Sequence, residues 1–174
     1  FVNPGPSIKL PPMDALPLGE LVAVVREDDT FAVTDSGGHL PRRHLVPLGT
    51  VEPDFVAVAE RFLGVPYLWG VKSSLGIDCS GLVQIALTAC GVSCPRDSDM
   101  QESALGKPAN LAGLQHGDLI FWKGHVAIAR GRNSMVHANA FHMSVTIEPV
   151  AEALARIGAA GSQVTSVRRI GVAK

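Results

Sequence analysis

The sequence is poor in several things at once. It has three cysteines, 5% aromatic residues and a single tyrosine. No stretch comes near the roughly 18 consecutive apolar residues of a membrane-spanning helix. No basic run stands out, and fifteen Lys and Arg against sixteen Asp and Glu leave a net charge of -1. Together these absences argue against a disulfide framework, a helical span, and nucleic acid or an anionic membrane as partner. Internal repeats and low-complexity segments are lacking too. The sequence starts at Phe1 and not at a methionine, so it is silent on a removed signal peptide.

What is present is enough to fold. With 174 residues, 47% of them hydrophobic, the chain can build one medium domain and a small companion. Residues 1–50 hold seven of the twelve prolines, with strand-like runs at Leu21–Val25 and Thr30–Thr34. Glu27-Asp28-Asp29 reads as the hairpin turn between them. Asp35-Ser36-Gly37-Gly38 is a further turn, and Leu40–Leu48 a last extended segment broken by Pro41 and Pro47. Short strands with polar turns predict a small β-barrel.

After a joint at Val51–Asp54, Asp54 can cap a helix carrying Phe55, Val58, Ala59 and Phe62 on one face and stopping near Gly64. A second helix is expected from Cys79 to about Cys90, ended by Gly91. A third follows Pro95-Arg96-Asp97, where Ser98 and Gln101 have capping-box spacing, and ends near Gly106. From Gly117 the period becomes alternating. Asp118–Trp122, His125–Arg130 and Met135–Ala138 predict an antiparallel meander, extended by Ser144–Glu148 and Val164–Val172, with a helix over Val150–Ile157. Helices first and strands afterwards indicate an α+β fold.

The chemistry centres on Tyr67–Gln84, YLWGVKSSLGIDCSGLVQ. Cys79 falls at a helix start, where free backbone N–H groups favour thiolate, the nucleophilic form. It can equally be a small buried hydrophobe. His125 opens one strand of the meander and His137 lies near the end of the next, so a hairpin would bring the two rings together. A thiol, a base and a polar ring behind the base form the logic of a thiol hydrolase. Cys79, His125 and His137 could also be three ligands of a catalytic zinc. His39, His44, His116 and His142 carry no such pattern. Cys90 and Cys94, four apart, leave a local disulfide open, which would make Cys79 the odd thiol.

Tyr67–Gln84, then Pro95-Arg96-Asp97-Ser98 with Gln101, Gly117–Trp122, His125-Val126-Ala127-Ile128 and Val136-His137-Ala138 occur in an order that resembles the NlpC-type papain-like cysteine peptidases. The likeness spans about residues 54–148. It implies an α+β papain-like core, with the cysteine helix packed on an antiparallel sheet, and cell-wall peptides as substrate. It also implies Cys79 as nucleophile, His125 as base and His137 as third member, with the Tyr67 hydroxyl and the Cys79 N–H at the oxyanion.

Asp78 and Ser80 beside the cysteine, with an N-terminal β module, are similar to γ-D-glutamyl-L-diamino acid endopeptidases that carry a bacterial SH3-like domain. This implies a module over 1–50, a peptidase domain over 51–174, and murein stem peptides with a free N-terminal L-Ala as substrate. Asp78 would face that ammonium, or simply cap the helix, with Ser80 and Ser98 as hydrogen-bond partners. Asp97, Trp69 and Glu20 complete the implied substrate-binding set. No metal or cofactor is implied.

Val71 follows Gly70 where relatives often have a second glycine, so the loop is expected to bend differently. Gly38-His39-Leu40-Pro41 replaces a Gly-Tyr-Val-Pro. If the β module caps the cleft, small peptides are preferred and recycling is the expected role. Free thiols and that role favour the cytoplasm, with periplasm or export left open. Two alternatives stand beside the hydrolase: a catalytically silent cell-wall peptide-binding module, and a thiol acyltransferase or amidase on the same scaffold.

Overall fold

A computed structural model describes residues 1–171. The chain forms two compact units, Phe1–Thr50 and the remainder from Val51.

The first unit holds three short antiparallel strands, β1 (Val24–Glu27), β2 (Phe31–Thr34) and β3 (His39–Pro41), in the order β1-β2-β3. Its turn is made by Asp28, whose Oδ1 accepts from the Thr30 N–H at 2.7 Å, the Thr30 hydroxyl at 2.7 Å and the Phe31 N–H at 2.8 Å. This Asx-type turn fixes where the hairpin closes. It also moves the first strand three residues later than the apolar run Leu21–Val25 predicts. After β3 the chain enters a 3₁₀ turn over Arg42–His44, not the extended segment expected over Leu40–Leu48. The expected barrel is an open three-stranded sheet among the described residues.

The second unit contains the main core. Its first helix, α1 (Phe55–Glu60), is capped by Asp54, whose carboxylate accepts from the Val56 N–H at 2.9 Å. Turns carry the chain on to Gly64. A two-residue hairpin, β4 (Lys72–Ser73) with β5 (Gly76–Ile77), leads into α2 (Cys79–Ala89). That helix ends in a Schellman arrangement. Gly91 takes φ 75° and the Val92 N–H reaches the Leu87 carbonyl at 2.9 Å.

Next come α3 (Ser98–Ala104), β6 (Lys107–Ala109), β7 (Asp118–Trp122), β8 (His125–Ala129), β9 (Ser134–Asn139), β10 (Ser144–Pro149), α4 (Val150–Ala159) and β11 (Val164–Arg169). Residue 172, where the last strand was expected to end, lies outside the described residues. The six-stranded sheet has the order β10-β9-β8-β7-β11-β6 and every pairing is antiparallel.

Alternation along these strands divides the sheet into two faces. Leu119, Phe121, Val126, Ile128, Val136, Ala138 and Val145 pack against Phe55, Val58, Leu82, Ile85 and Ala86 of α1 and α2. Ile120, Trp122, Ala127, Ala129 and Met135 pack against Val150 and Ala153 of α4. Each large side chain so buried stabilises the unit by about 1.5–3 kcal/mol. The arrangement is the α+β, papain-like layering expected from the sequence.

The capping box does not form. Gln101 is fully buried, and its side-chain amide donates to the Ser80 and Pro95 carbonyls, each at 2.9 Å. Its amide ties the loop before α3 to the first turn of α2. Asp97 stands at the N-cap position without a side-chain bond to the helix.

Candidate active site

The head of α2 is shaped by Asp78. Extended backbone at this residue lets its Oδ1 accept from the Gly81 N–H at 2.7 Å, while Oδ2 accepts from the Gly70 N–H at 2.7 Å. Arg96 closes on the same carboxylate with two bonds, Nη1 to Oδ1 at 2.9 Å and Nη2 to Oδ2 at 2.6 Å. Nη1 also donates to the Ser80 hydroxyl at 3.0 Å. Burial alone would raise the Asp78 pKa, but the Arg96 and backbone N–H bonds outweigh it and hold the carboxyl below its usual range.

The loop before α2 takes its left-handed turn at Gly70, φ 79°, and Val71 has no positive φ. One glycine therefore suffices for the bend.

Cys79 is the first residue of α2 and is buried. The expected low pKa is not found. Burial pushes the thiol up, the Asp78 charge adds to this, and the N–H groups of Val126, Ser80 and Cys79 only partly offset it. Cys79, Tyr67, Trp69, Gly70, Asp78, Ser80, Arg96, Asp97, Ser98 and Gly124 line a cleft of about 390 Å³. Trp69 is 83% exposed there. Burial chiefly, then the neighbouring Cys79 and Asp78, raise the Tyr67 pKa and keep its hydroxyl protonated. Asp97 is exposed, and its side chain carries no hydrogen bond among the described residues.

The cleft thus gathers seven of the ten residues singled out from the sequence. Glu20 lies in an exposed turn of the first unit. His125 and His137 stand on the sheet, not on the cleft wall.

The hairpin expectation holds for those two histidines. His125 Nε2 lies 2.9 Å from His137 Nδ1, with ring centroids 5.1 Å apart. Extending the Ile128↔Val136 register makes the two positions diagonal neighbours on adjoining strands. Burial lowers the pKa of His125 to about 3, helped by His137 and Arg156. Burial and then Arg156 take His137 to about 3 as well. Both rings are neutral at pH 7, and Cys79, with its pKa raised, rests as a thiol.

The sequence reasoning missed what stands behind His137. Thr146 is its partner on β10, and two residues on, Glu148 places Oε1 2.7 Å from His137 Nε2. Arg156 of α4 binds the same oxygen. The 2.7 Å approach would by itself favour a charged imidazolium. Arg156 compensates the carboxylate, and burial decides the direction.

Glu148 with His137 and His142 is the group of three whose donor atoms come within 4.8 Å of one another among the described residues. The arginine already seated on Glu148 opposes a dication there. Cys79, His125 and His137, the alternative zinc set, do not form such a group. Cys90 and Cys94 are free thiols.

The chain is 43% identical over 84 residues to dipeptidyl-peptidase 6 of Lysinibacillus sphaericus, covering 48% of this chain and 31% of that protein. It is 34% identical over 161 residues to a gamma-D-glutamyl-L-lysine dipeptidyl-peptidase of Bacillus subtilis, covering 84% of this chain and 52% of that one. It therefore spans about half the length of these relatives, or less. Among solved structures, an NlpC/P60 family protein of Bacillus cereus superposes with a TM-score of 0.69 at 28% identity, covering 85% of this chain and 53% of the other. The NlpC/P60 family model matches residues 64–157, which take in the cysteine helix and both histidine strands. The chain belongs to the NlpC/P60 family.

Proposed function

We propose that this chain is a cysteine peptidase of cell-wall peptides that hydrolyses the bond between γ-D-Glu and the following diamino acid. The observation that carries the reading is the His125–His137 contact at 2.9 Å, together with the backbone N–H of Val126, the residue after His125, which reaches the Cys79 sulfur. The names of the relatives support the bond and the substrate class.

With Nε2 of His125 engaged by His137, Nδ1 is left for the sulfur. Substrate in the cleft excludes water, the Cys79 proton passes to His125, and the sulfur attacks the γ-carbonyl carbon of D-Glu. The oxyanion is met by the Cys79 N–H and the Tyr67 hydroxyl. Collapse breaks the C–N bond, the amine leaves with the proton held by His125, and a thioester remains. Water, giving its proton to His125, then frees the L-Ala-D-Glu part and restores the thiol.

Asp78 does not suit the ammonium of L-Ala, because Arg96 and two N–H groups already occupy both of its oxygens. Asp97, exposed on the cleft with its carboxylate unbonded, suits it better. Ser98 and Trp69 frame the same end. Ser80 is turned toward Arg96. The first unit is read as an SH3-like module, supported by its short antiparallel strands and by a structural match that extends beyond the second unit.

The test is product analysis of L-Ala-γ-D-Glu-diamino acid peptides with and without a free N-terminal amine. Cleavage after γ-D-Glu, faster on the free amine, is expected. Cys79→Ala should abolish turnover and keep peptide affinity, whereas a wild-type chain that binds the peptides and never turns them over would be a receptor and end the proposal. An added acceptor amine that appears in the product would indicate transfer in place of hydrolysis.

A further inference from the structure

We infer that Glu148 is a positioning residue that sets the tautomer of His137, and through it the nitrogen with which His125 meets the thiol. This rests on the reading of Cys79 and His125 as nucleophile and base.

Three side chains in a row share a small number of protons. His125, His137 and Glu148 lie diagonally across β8, β9 and β10 on the face of the sheet that α4 covers. His137 is 1% exposed, so its two nitrogens have no water to turn to. Nδ1 faces His125 Nε2 at 2.9 Å and Nε2 faces Glu148 Oε1 at 2.7 Å. A neutral imidazole carries one proton. If it sat on Nδ1, a lone pair on Nε2 would be pressed against a carboxylate oxygen in a dry site, which is repulsive. The proton therefore belongs on Nε2.

Nδ1 is then an acceptor, so His125 must donate from its own Nε2. The single proton of neutral His125 is spent there, and its Nδ1 presents a lone pair. A base needs that lone pair to take the proton of Cys79. With the other His137 tautomer, His125 would carry its proton on Nδ1 and could not act.

Glu148 Oε1 lies within contact of Nε2 but off the line of its N–H, so that nitrogen has no hydrogen bond of good geometry. Such bonds in free enzymes commonly tighten when the reacting complex forms. A short rotation of the carboxylate would align it. The other groups facing His137 are His125 on β8, His142 in the β9–β10 turn and Arg156 on α4. Arg156 has a separate part. By neutralising Glu148 it lets the carboxylate choose a tautomer without charging the ring. Phe141, whose ring lies 4.3 Å from the Arg156 guanidinium, steadies that arginine.

The experiment reads the ring nitrogens directly. Long-range ¹H–¹⁵N correlation on the ¹⁵N-labelled wild-type chain near pH 7 should show His137 protonated at Nε2 and His125 also at Nε2. An Nδ1–H tautomer at His137 in the wild type would overturn the inference, and this measurement needs no variant to fold. In Glu148→Ala the Nε2–H preference of His137 should be lost. Alkylation of Cys79 by iodoacetamide, followed by mass mapping of its peptide, should slow at least ~10-fold. Glu148→Gln, whose amide oxygen can still accept, should restore part of both. Unchanged tautomer and alkylation rate in Glu148→Ala would also overturn it. Alkylation does not depend on the murein peptide. A chain that passes these tests and cleaves no such peptide would refute the substrate and keep the positioning role.

Discussion

Asp78 and Glu148 are both buried carboxylates held by an arginine, and they are held in opposite ways. At Asp78 two guanidinium bonds and two backbone N–H groups leave neither oxygen free. At Glu148 one oxygen is shared between Arg156 and His137, and the bond to the ring is out of line. A saturated carboxylate fixes a backbone; an under-coordinated one can act on a neighbour. The first builds the helix start that presents the thiol, and the second works on a proton.

The comparison can be broken at the clamp. Arg96→Met would strand a buried charge, and breaking a buried ion pair costs roughly 3–5 kcal/mol. Arg96 is about a third exposed, so about 3 kcal/mol is expected from denaturant unfolding. A loss well under ~1 kcal/mol would show that the pair behaves like a surface salt bridge and does not organise the helix start.

pH separates the two regions. His137 falls from an ordinary 6.5 to about 3 in the folded chain. The unfolded chain thus binds a proton that the folded one refuses, and stability is lost as pH drops from 6.5 toward 3. Between pH 6.5 and about 5 this amounts to on the order of 2 kcal/mol for His137, with part-buried His125 adding in the same direction. Asp78, depressed below its usual 3.8, stabilises above that value and loses its contribution only at lower pH. Unfolding free energies measured across pH 7 to 5 should therefore decline in the wild type and decline less in His137→Gln. Equal slopes would contradict the assignment.

A smaller effect sharpens the account of the cleft. Asp97→Asn should raise KM about tenfold, or about 1.4 kcal/mol, for peptides with a free L-Ala amine and leave N-acetylated ones unaffected. kcat should hold. If both substrates weaken alike, Asp97 does not face the ammonium.

Much of this was legible in the sequence. The 3.6-residue period of α2, the Asp78 cap, the Gly91 stop and the alternation through β7–β10 each follow from local rules, and they placed Cys79, His125 and His137. What escaped are partners decided by packing. Arg96 lies eighteen positions from the carboxylate it clamps. Glu148 ends a strand that its local pattern predicts, but only α4, folding back over that face, makes it a buried neighbour of His137. Ser98 and Gln101 had the spacing of a capping box, but the pull of two unpaired carbonyls on a buried amide won. The thiolate expectation failed because burial of Cys79 outweighs the N–H groups around it. In the first unit, an aspartate turn overrode an apolar run.

The close packing of Gly81 has an engineering consequence. A Cβ there would stand 2.9 Å from Asp78 Oδ1 and 3.0 Å from the Val71 carbonyl oxygen. The glycine after Ser80 is thus demanded by the ion pair and the loop, and not by the reaction. Grafting this nucleophile onto another helix would mean moving Asp78, Gly81, Arg96 and the Gly70 bend together, since the thiol is presented by their joint geometry.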